Sequence, residues 1–326
     1  MNRMLSFRWK FLLSNSIRAI CLIVTTALSI TAAHSGWRED VGVFKIGIVS
    51  TAESSIATRE IAPFSNALSQ EINMPVKVLI FKSYRGLIDA QANKKLHYAV
   101  HTAASYATTW AKCKCINPLA AAKLSDGSVS YQSILVVKRD VISNLDELKG
   151  KRIAISSKKS LSGYLIPKFE LDNKPLHFVD LPNEPGDTVM VSAGTSAASQ
   201  KLFQAGLVDG LFGWSTLSGL ANTGYSAGTL VDLINRNNMS MDELQIIWKS
   251  KPIFNGPHAI TKDAPEGLQT NISQFLLNLF EKNPRAYDSI ENYRGGGFAT
   301  VAHANYQPLI EYVGALAQSQ ISTKSE

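Results

Sequence analysis

Cysteine, membrane-spanning runs and stretches of biased composition are all scarce in this chain of 326 residues. It contains three cysteines, and after residue 35 no apolar run approaches the roughly 20 residues that a transmembrane helix needs. It has no low-complexity tract and no concentrated stripe of basic residues. These absences disfavour an integral membrane protein and a nucleic-acid-binding protein, and they leave a globular chain long enough for two domains.

Signatures of enzymes, cofactors and metals are missing as well. The chain has no G-x-S-x-G elbow, no Walker A motif and no dinucleotide fingerprint. The triplet Gly295-Gly296-Gly297 follows a helix-like segment rather than a strand, so it is interpreted as a turn. His177, His258 and His303 show no metal-ligand spacing. We therefore expect no cofactor, no metal and no enzymatic activity; a general-base role for His101 is the weakest alternative.

Residues 1–35 are typical of a secretory signal peptide that is cleaved on export. Arg3, Arg8, Lys10 and Arg18 precede or open an apolar run over 19–33, which small residues follow. These four cations make up more than half of the formal net charge of +7, so the exported chain is only mildly basic. An uncleaved membrane anchor is the alternative. We predict an exported protein.

Two cysteines remain in the sequence Lys112-Cys113-Lys114-Cys115. A bridge across one intervening residue would strain disulfide geometry, and a metal site usually needs a second such pair. We favour a turn that carries two free thiols, with a disulfide or a metal as alternatives.

Strand-like and helix-like segments alternate along the exported chain, which indicates an α/β fold. Two long extended segments, near 130–138 and 244–252, separate two blocks of such units. The simplest interpretation is two lobes joined by two crossover strands, with a ligand cleft and a hinge between them. The predicted divisions are a leader at 1–35, lobe I at 36–134 plus 250–326, and lobe II at 135–249.

Lobe II has two helix starts rich in hydroxyls and glycine at the ends of strands. In "KRIAISSKKSLSGYL" a strand passes into a helix through Ser160, Ser162 and Gly163, and Thr195 opens the helix of 196–205. Helix N-termini present unpaired N–H groups and a partial positive charge. We expect Ser160, Ser162, the Gly163 amide and Thr195 to hold an anion, although plain helix capping is the alternative. Trp214, at a further strand end, is expected to line the cleft.

Lobe I has comparable strand ends in "GIVSTAES", "FKSYRG" and "YAVHTAAS". Ligands of open α/β sheets bind at the carboxyl ends of strands. Ser50, Tyr84, His101 and Thr102 are therefore the candidate ligand-binding residues of this lobe. Tyr84 as a core aromatic and His101 as a packed histidine are the alternatives.

Several segments together resemble the periplasmic phosphate/phosphite/phosphonate-binding proteins of ABC transporters over nearly all of residues 43–313. They include "FKIGIVSTAES", "LDELKGKRIAISSKKSLSGYLIPKFEL", "SAGTSAASQKLFQAGLVDGLF" and "IIWKSKPIFNGPHAITKDAP". The resemblance implies a two-lobed type II binding-protein fold and a monomer that binds a small anionic solute. It also implies docking on an ABC permease in the inner membrane, with no nucleic-acid partner.

This chain departs from the family's pattern at three places in the expected site. Leu161 stands where the family has a hydroxyl, Thr195 stands where it has a histidine, and His101-Thr102 replaces its Tyr-Gly. The resemblance thus implies a binding protein whose ligand shell is altered, with phosphonate, phosphite or phosphate as candidate ligands. A periplasmic sensor subunit that signals to a membrane kinase is the alternative function.

Overall fold

The computed structural model describes residues 36–171, 176–291 and 295–322, so the predicted leader lies outside the described residues. Its strands are β1 (Phe44–Val49), β2 (Val76–Phe81), β3 (Tyr98–Val100), β4 (Ile116–Ala122), β5 (Ser130–Lys138), β6 (Arg152–Ile155), β7 (Phe178–Val179), β8 (Thr188–Ser192), β9 (Gly210–Ser215), β10 (Leu244–Lys249), β11 (Ile253–Phe254), β12 (Pro257–Thr261) and β13 (Phe298–Thr300). Its α-helices from residue 54 onward are α1 (Ser54–Ile72), α2 (Tyr84–Ala92), α3 (Ala103–Cys113), α4 (Ile166–Leu171), α5 (Ser196–Gln204), α6 (Thr229–Asn237), α7 (Glu266–Lys282), α8 (Pro284–Ile290) and α9 (Gln307–Ser322).

The first sheet has the strand order β13-β4-β12-β3-β1-β2 and forms lobe I. β1 pairs in parallel with β2 and β3, whereas β12 and β13 pair antiparallel with their neighbours. The alternation of β1 places Phe44, Ile46 and Ile48 in a core shared with α1, α7 and α8. α3 and α9 pack around a second cluster of buried side chains. Apolar helical faces therefore cover the sheet on both sides, as buried parallel strands require.

The second sheet has the order β10-β5-β9-β6-β8-β7 and forms lobe II. β6 lies parallel to β8 and β9, while β5 pairs antiparallel with β9 and β10. One apolar cluster includes Phe178 and Phe212, and another includes Phe203 and Leu230 of α5 and α6. Lobe II is thus a second α/β layer structure with its own core.

Two segments connect the lobes. β5 enters the second sheet after β4, and the chain returns through β10 and β11, which both pair with β5. The predicted two-lobed α/β fold with two crossover strands is confirmed. Both sheets are mixed rather than wholly parallel, because β12 and β13 run antiparallel to their neighbours in lobe I and β5 does so in lobe II. The predicted boundary between 134 and 135 falls inside β5, and the boundaries stay predictions.

One helix differs locally from its sequence-based expectation. The helix expected over 162–171 begins as a π-helical turn, Leu161–Leu165, before α4. In this turn the Leu165 N–H donates to the Ser160 carbonyl, five residues earlier. Apolar periodicity over so few residues does not distinguish this wide turn from an α-helical one. No helix among the described residues is long and apolar enough to cross a membrane.

The expectation of two free thiols was wrong, because Cys113 and Cys115 form a disulfide. Lys114 between them takes a left-handed conformation, with φ 52°, at the end of α3. This conformation turns the chain back on itself and brings the two Cα atoms to 5.0 Å, inside the range that a disulfide spans.

Candidate functional site

A cleft of about 600 Å³ lies between the lobes. Lobe II contributes Tyr131 of β5 and Leu161, and the other lining residues belong to lobe I or to the returning segment. The lining residues are Ile48, Val49, Tyr84, Val100, His101, Thr102, Ala103, Ala104, Tyr131, Leu161, Phe254, Asn255, Gly256, Ile290 and Glu291. Of the predicted site residues, the cleft therefore brings together Tyr84, His101 and Thr102.

The start of α3 presents polar groups to this cleft. The Thr102 hydroxyl accepts from the Ser105 N–H at 3.1 Å, and the Ser105 hydroxyl accepts from the Thr102 N–H at 2.9 Å. The first-turn N–H groups of Ala103 and Ala104 have no carbonyl earlier in the helix to accept them. Because the Thr102 hydroxyl acts as an acceptor in the cap, its own proton can donate to a ligand.

His101 is 4% exposed and is held inside lobe I. Its Nε2 lies 2.6 Å from Gln91 Oε1 and its Nδ1 lies 3.0 Å from Ser105 Oγ. Burial, with a smaller contribution from the charge of His258, lowers the pKa of His101 to about 3. The ring is therefore neutral at physiological pH and both of its nitrogens are engaged. This geometry does not support the expected role of His101 as a donor to an anion, and it leaves the ring without the basicity of a general base.

A buried polar network lies at one wall of the cleft. Glu291 Oε1 is 2.7 Å from His258 Nε2, and the Tyr98 hydroxyl contacts His258 Nδ1. Burial and, to a smaller extent, the charge of Glu291 raise the pKa of Tyr98 well above its usual value. Since Tyr98 keeps its proton, it can donate to Nδ1 while Nε2–H donates to the carboxylate. The network satisfies a carboxylate that would otherwise be costly to bury.

The lobe II helix starts lie side by side but are used mainly for capping. β6 and β8 are parallel neighbours, so their carboxyl ends meet at Ile155 and Ser192. Ser160 accepts from the Gly163 N–H at 3.0 Å, and Thr195 accepts from the Ala198 N–H at 3.1 Å. The expectation that the Gly163 amide is open to a ligand is contradicted, because that N–H caps its own turn. The hydroxyl protons of Ser160 and Thr195 can still donate.

The remaining predicted residues lie next to the cleft without lining it. Ser50 follows Val49, a lining residue, and its hydroxyl accepts from the Ala52 N–H at 3.2 Å. Trp214 contacts the lining residue Tyr131, with ring centroids 5.6 Å apart. The Ser162 carbonyl accepts from the Ser133 hydroxyl. Lys158 forms an exposed ion pair with Asp180.

The sequence interpretation missed several lining residues, above all Tyr131, Phe254, Asn255 and Gly256. All four lie on or beside the crossover segments, and two lobes that share a cleft must be joined next to it. Gly256 packs so closely on the start of α3 that a Cβ atom there would lie 1.9 Å from the His101 carbonyl oxygen. The predicted crossover strands were the available signal for these positions.

Two lobes, two crossover segments and a polar helix start at the interlobe cleft define a two-lobed solute-binding protein of the type II periplasmic fold. A family model described as "ABC transporter, phosphonate, periplasmic substrate-binding protein" matches residues 46–306. The chain belongs to this family. The family comprises substrate-binding components of transporters, not enzymes.

Two solved structures with TM-scores above 0.5 agree with this fold at low sequence identity. XAC2383 from Xanthomonas citri bound to ATP is 15% identical, with a TM-score of 0.57, and the match covers 85% of this chain and 98% of that one. Transferrin 1 from Manduca sexta is 13% identical, with a TM-score of 0.54, over 84% of this chain and 46% of that one. PhnD1 from Prochlorococcus marinus in complex with methylphosphonate is 17% identical, with a TM-score of 0.49, and the match covers 85% of this chain and 98% of that one.

Proposed function

We propose that this protein delivers a small phosphorus oxyanion, phosphonate, phosphite or phosphate, to an ABC permease in the inner membrane. Residues 1–35 would direct its export to the periplasm and would then be cleaved. The protein would act there as a monomer without a cofactor. The observation that carries the proposal is the hydroxyl-capped start of α3 in the interlobe cleft, within a family of phosphonate-binding transporter components. The ligand would be bound when the two lobes close around it.

Neutral donors would hold the anion. Thr102 Oγ and the N–H groups of Ala103 and Ala104 would donate from the start of α3, where the helix dipole favours negative charge. Of the described residues that line the cleft, none carries a cationic side chain, since His101 is neutral. Donors without charge suit a ligand that must be released to the permease. Further closure would bring Ser50, Ser160, Ser162, Thr195 and Trp214 toward it.

Calorimetric titration of the periplasmic protein with phosphate, phosphite and methylphosphonate tests the proposal. In Thr102→Ala we expect binding to weaken by about 1–3 kcal/mol, because a buried acceptor of the anion loses its donor. The same change removes a helix cap, which costs about 1 kcal/mol of stability.

Ser240→Ala is the matched control, because Ser240 caps the turn Met241–Glu243 with the same type of capping box outside the cleft. It should lower stability to a similar extent and leave affinity unchanged. Absence of heat and of any thermal shift with all three anions would exclude phosphorus oxyanions as the ligand class. Equal affinities of Thr102→Ala and the parent protein would exclude the start of α3 from the binding site.

A further inference from the structure

The lobe II wall of the cleft is apolar at Leu161, where the resembled family has a hydroxyl. Leu161 is the first residue of the π-helical turn and directly follows the Ser160 cap. It lines the cleft together with Tyr131, and both residues also pack against the buried cluster that contains Tyr106 and Ile253. Packing of this kind fixes Leu161 as a wall of the cleft.

Most of the residues that line the cleft have apolar side chains. Ten of its fifteen lining residues are aliphatic or aromatic: Ile48, Val49, Tyr84, Val100, Ala103, Ala104, Tyr131, Leu161, Phe254 and Ile290. An inorganic tetrahedral oxyanion exposes oxygen in every direction, so a carbon wall would leave part of it desolvated and unpaired, which is costly. The same wall suits a ligand whose anionic group faces Thr102 and whose remaining part is apolar.

The size of the cleft indicates the same kind of ligand. Its volume of about 600 Å³ falls in the range of about 300–1,000 Å³ that is typical of pockets for organic ligands much larger than phosphate. Aromatic side chains from both lobes, Tyr84 and Tyr131, line it, with Phe254 beside them. Aromatic side chains favour contact with a second ring, stacked or edge to face, so such a lining suits a ligand that carries a ring.

We propose that the cleft prefers organic oxyanions with an apolar substituent about the size of an aromatic ring, and that Leu161 is a residue that sets this preference. The inference rests on the proposed function, because it assumes that an oxyanion binds at the start of α3. It adds the chemical class of the rest of the ligand and names the wall that recognises it.

The test compares phosphate, methylphosphonate and phenylphosphonate in calorimetric titrations of the periplasmic protein. We expect phenylphosphonate to bind at least tenfold more tightly than phosphate, with methylphosphonate between them. Leu161→Ser places a hydroxyl on the wall, so phosphate should bind more tightly, phenylphosphonate more weakly, and their ratio should fall at least fivefold. Leu161→Ala removes the wall without adding a donor, so it should weaken the binding of phenylphosphonate and leave the binding of phosphate unchanged.

Leu181→Ser is the control, since Leu181 also belongs to lobe II but is 74% exposed and lies outside the cleft lining. It should keep the parent ratio. Phosphate that binds as tightly as phenylphosphonate to the parent protein would overturn this inference and leave the proposed function standing. An unchanged ratio in both folded Leu161 variants would overturn the role of Leu161, whereas no binding of any of these three anions or of phosphite would overturn the proposed function itself. The parent comparison decides the ligand preference even if a variant does not fold.

Discussion

His101 lies directly beneath the cleft, and at the scale of single residues its burial decides what it can do. The residue is enclosed by Gln91 and Ser105, and its pKa is lowered to about 3 because the charged ring would lose its solvation. A strand-end histidine in a sequence suggests a ligand or a base. Its partners inside lobe I instead make it part of the scaffold that holds Thr102 and the start of α3 in place.

The buried neutral state of His101 predicts a pH-dependent stability. Its folded pKa lies below its ordinary value of 6.5, so between the two values the unfolded chain binds a proton that the folded chain does not. The contribution of His101 to the free energy of unfolding is therefore fully present above about pH 6.5 and is lost as the pH falls toward 3. Between pH 7 and pH 5 the loss is at most about 2 kcal/mol.

Urea unfolding of the parent and of His101→Gln at pH 7 and pH 5 measures this effect. The variant keeps a polar side chain without a titratable ring, so its free energy of unfolding should fall less between the two pH values. All other titratable groups are the same in the two proteins, so the difference between them isolates the contribution of His101. Equal pH-dependent losses in the two proteins would contradict the prediction.

α3 combines site and scaffold at the scale of secondary structure elements. Its first turn is fixed by the capping box of Thr102 and Ser105, and its last turn ends in the left-handed Lys114 and the disulfide. The Lys114 N–H donates to the Trp110 carbonyl at 2.7 Å, which satisfies one of the helix's terminal acceptors. Both ends of the helix that we propose presents the anion donors are therefore constrained by local interactions.

The disulfide at the end of α3 should contribute little to global stability. Its cysteines are two residues apart, and a loop this short loses little entropy on closure, about 1.5 kcal/mol at most. The double variant Cys113→Ser/Cys115→Ser should lose no more than this in urea unfolding, and a reductant should then have no further effect. Two titratable thiols in the denatured periplasmic protein, before reduction, would show that the bridge does not form.

At the scale of the whole molecule, an apolar contact outside the cleft also joins the lobes. Phe169 of α4 in lobe II lies 5.1 Å from Tyr312 of α9 in lobe I, measured between ring centroids. Ile166 of α4 is buried in the same cluster as Tyr306 and Leu309. Since α4 continues the turn that carries Leu161, a change in the lobe arrangement would move this contact together with one wall of the cleft.

Phe169→Ala should therefore favour a more open arrangement. Small-angle scattering of the ligand-free variant should give a larger radius of gyration, and the affinity for an oxyanion should fall a few fold, because a smaller fraction of the molecules is in the closed state. Phe280→Ala is the control, since Phe280 lies on α7 within lobe I and is 37% exposed. An unchanged radius in Phe169→Ala would show that this contact does not hold the lobes together.

The sequence by itself determined that strands and helices alternate and that they form two lobes. Apolar periodicity and hydroxyls before helices are local patterns, and they correctly placed the crossover strands and the helix starts at Thr102, Ser160 and Thr195. The carboxyl ends of parallel strands meet at one sheet edge, so the sequence also indicated where the cleft lies.

Only the tertiary structure decided which groups face the cleft and which are already bonded. The His101 ring and the Gly163 amide are engaged by neighbours, whereas Tyr131, Phe254 and Glu291 enter from crossover segments or from the end of α8. Such outcomes depend on contacts between residues far apart in the chain, and no local pattern encodes them. The physical reason is that a polar group's role is set by whether its hydrogen-bonding capacity is used inside the fold, which the sequence alone does not record.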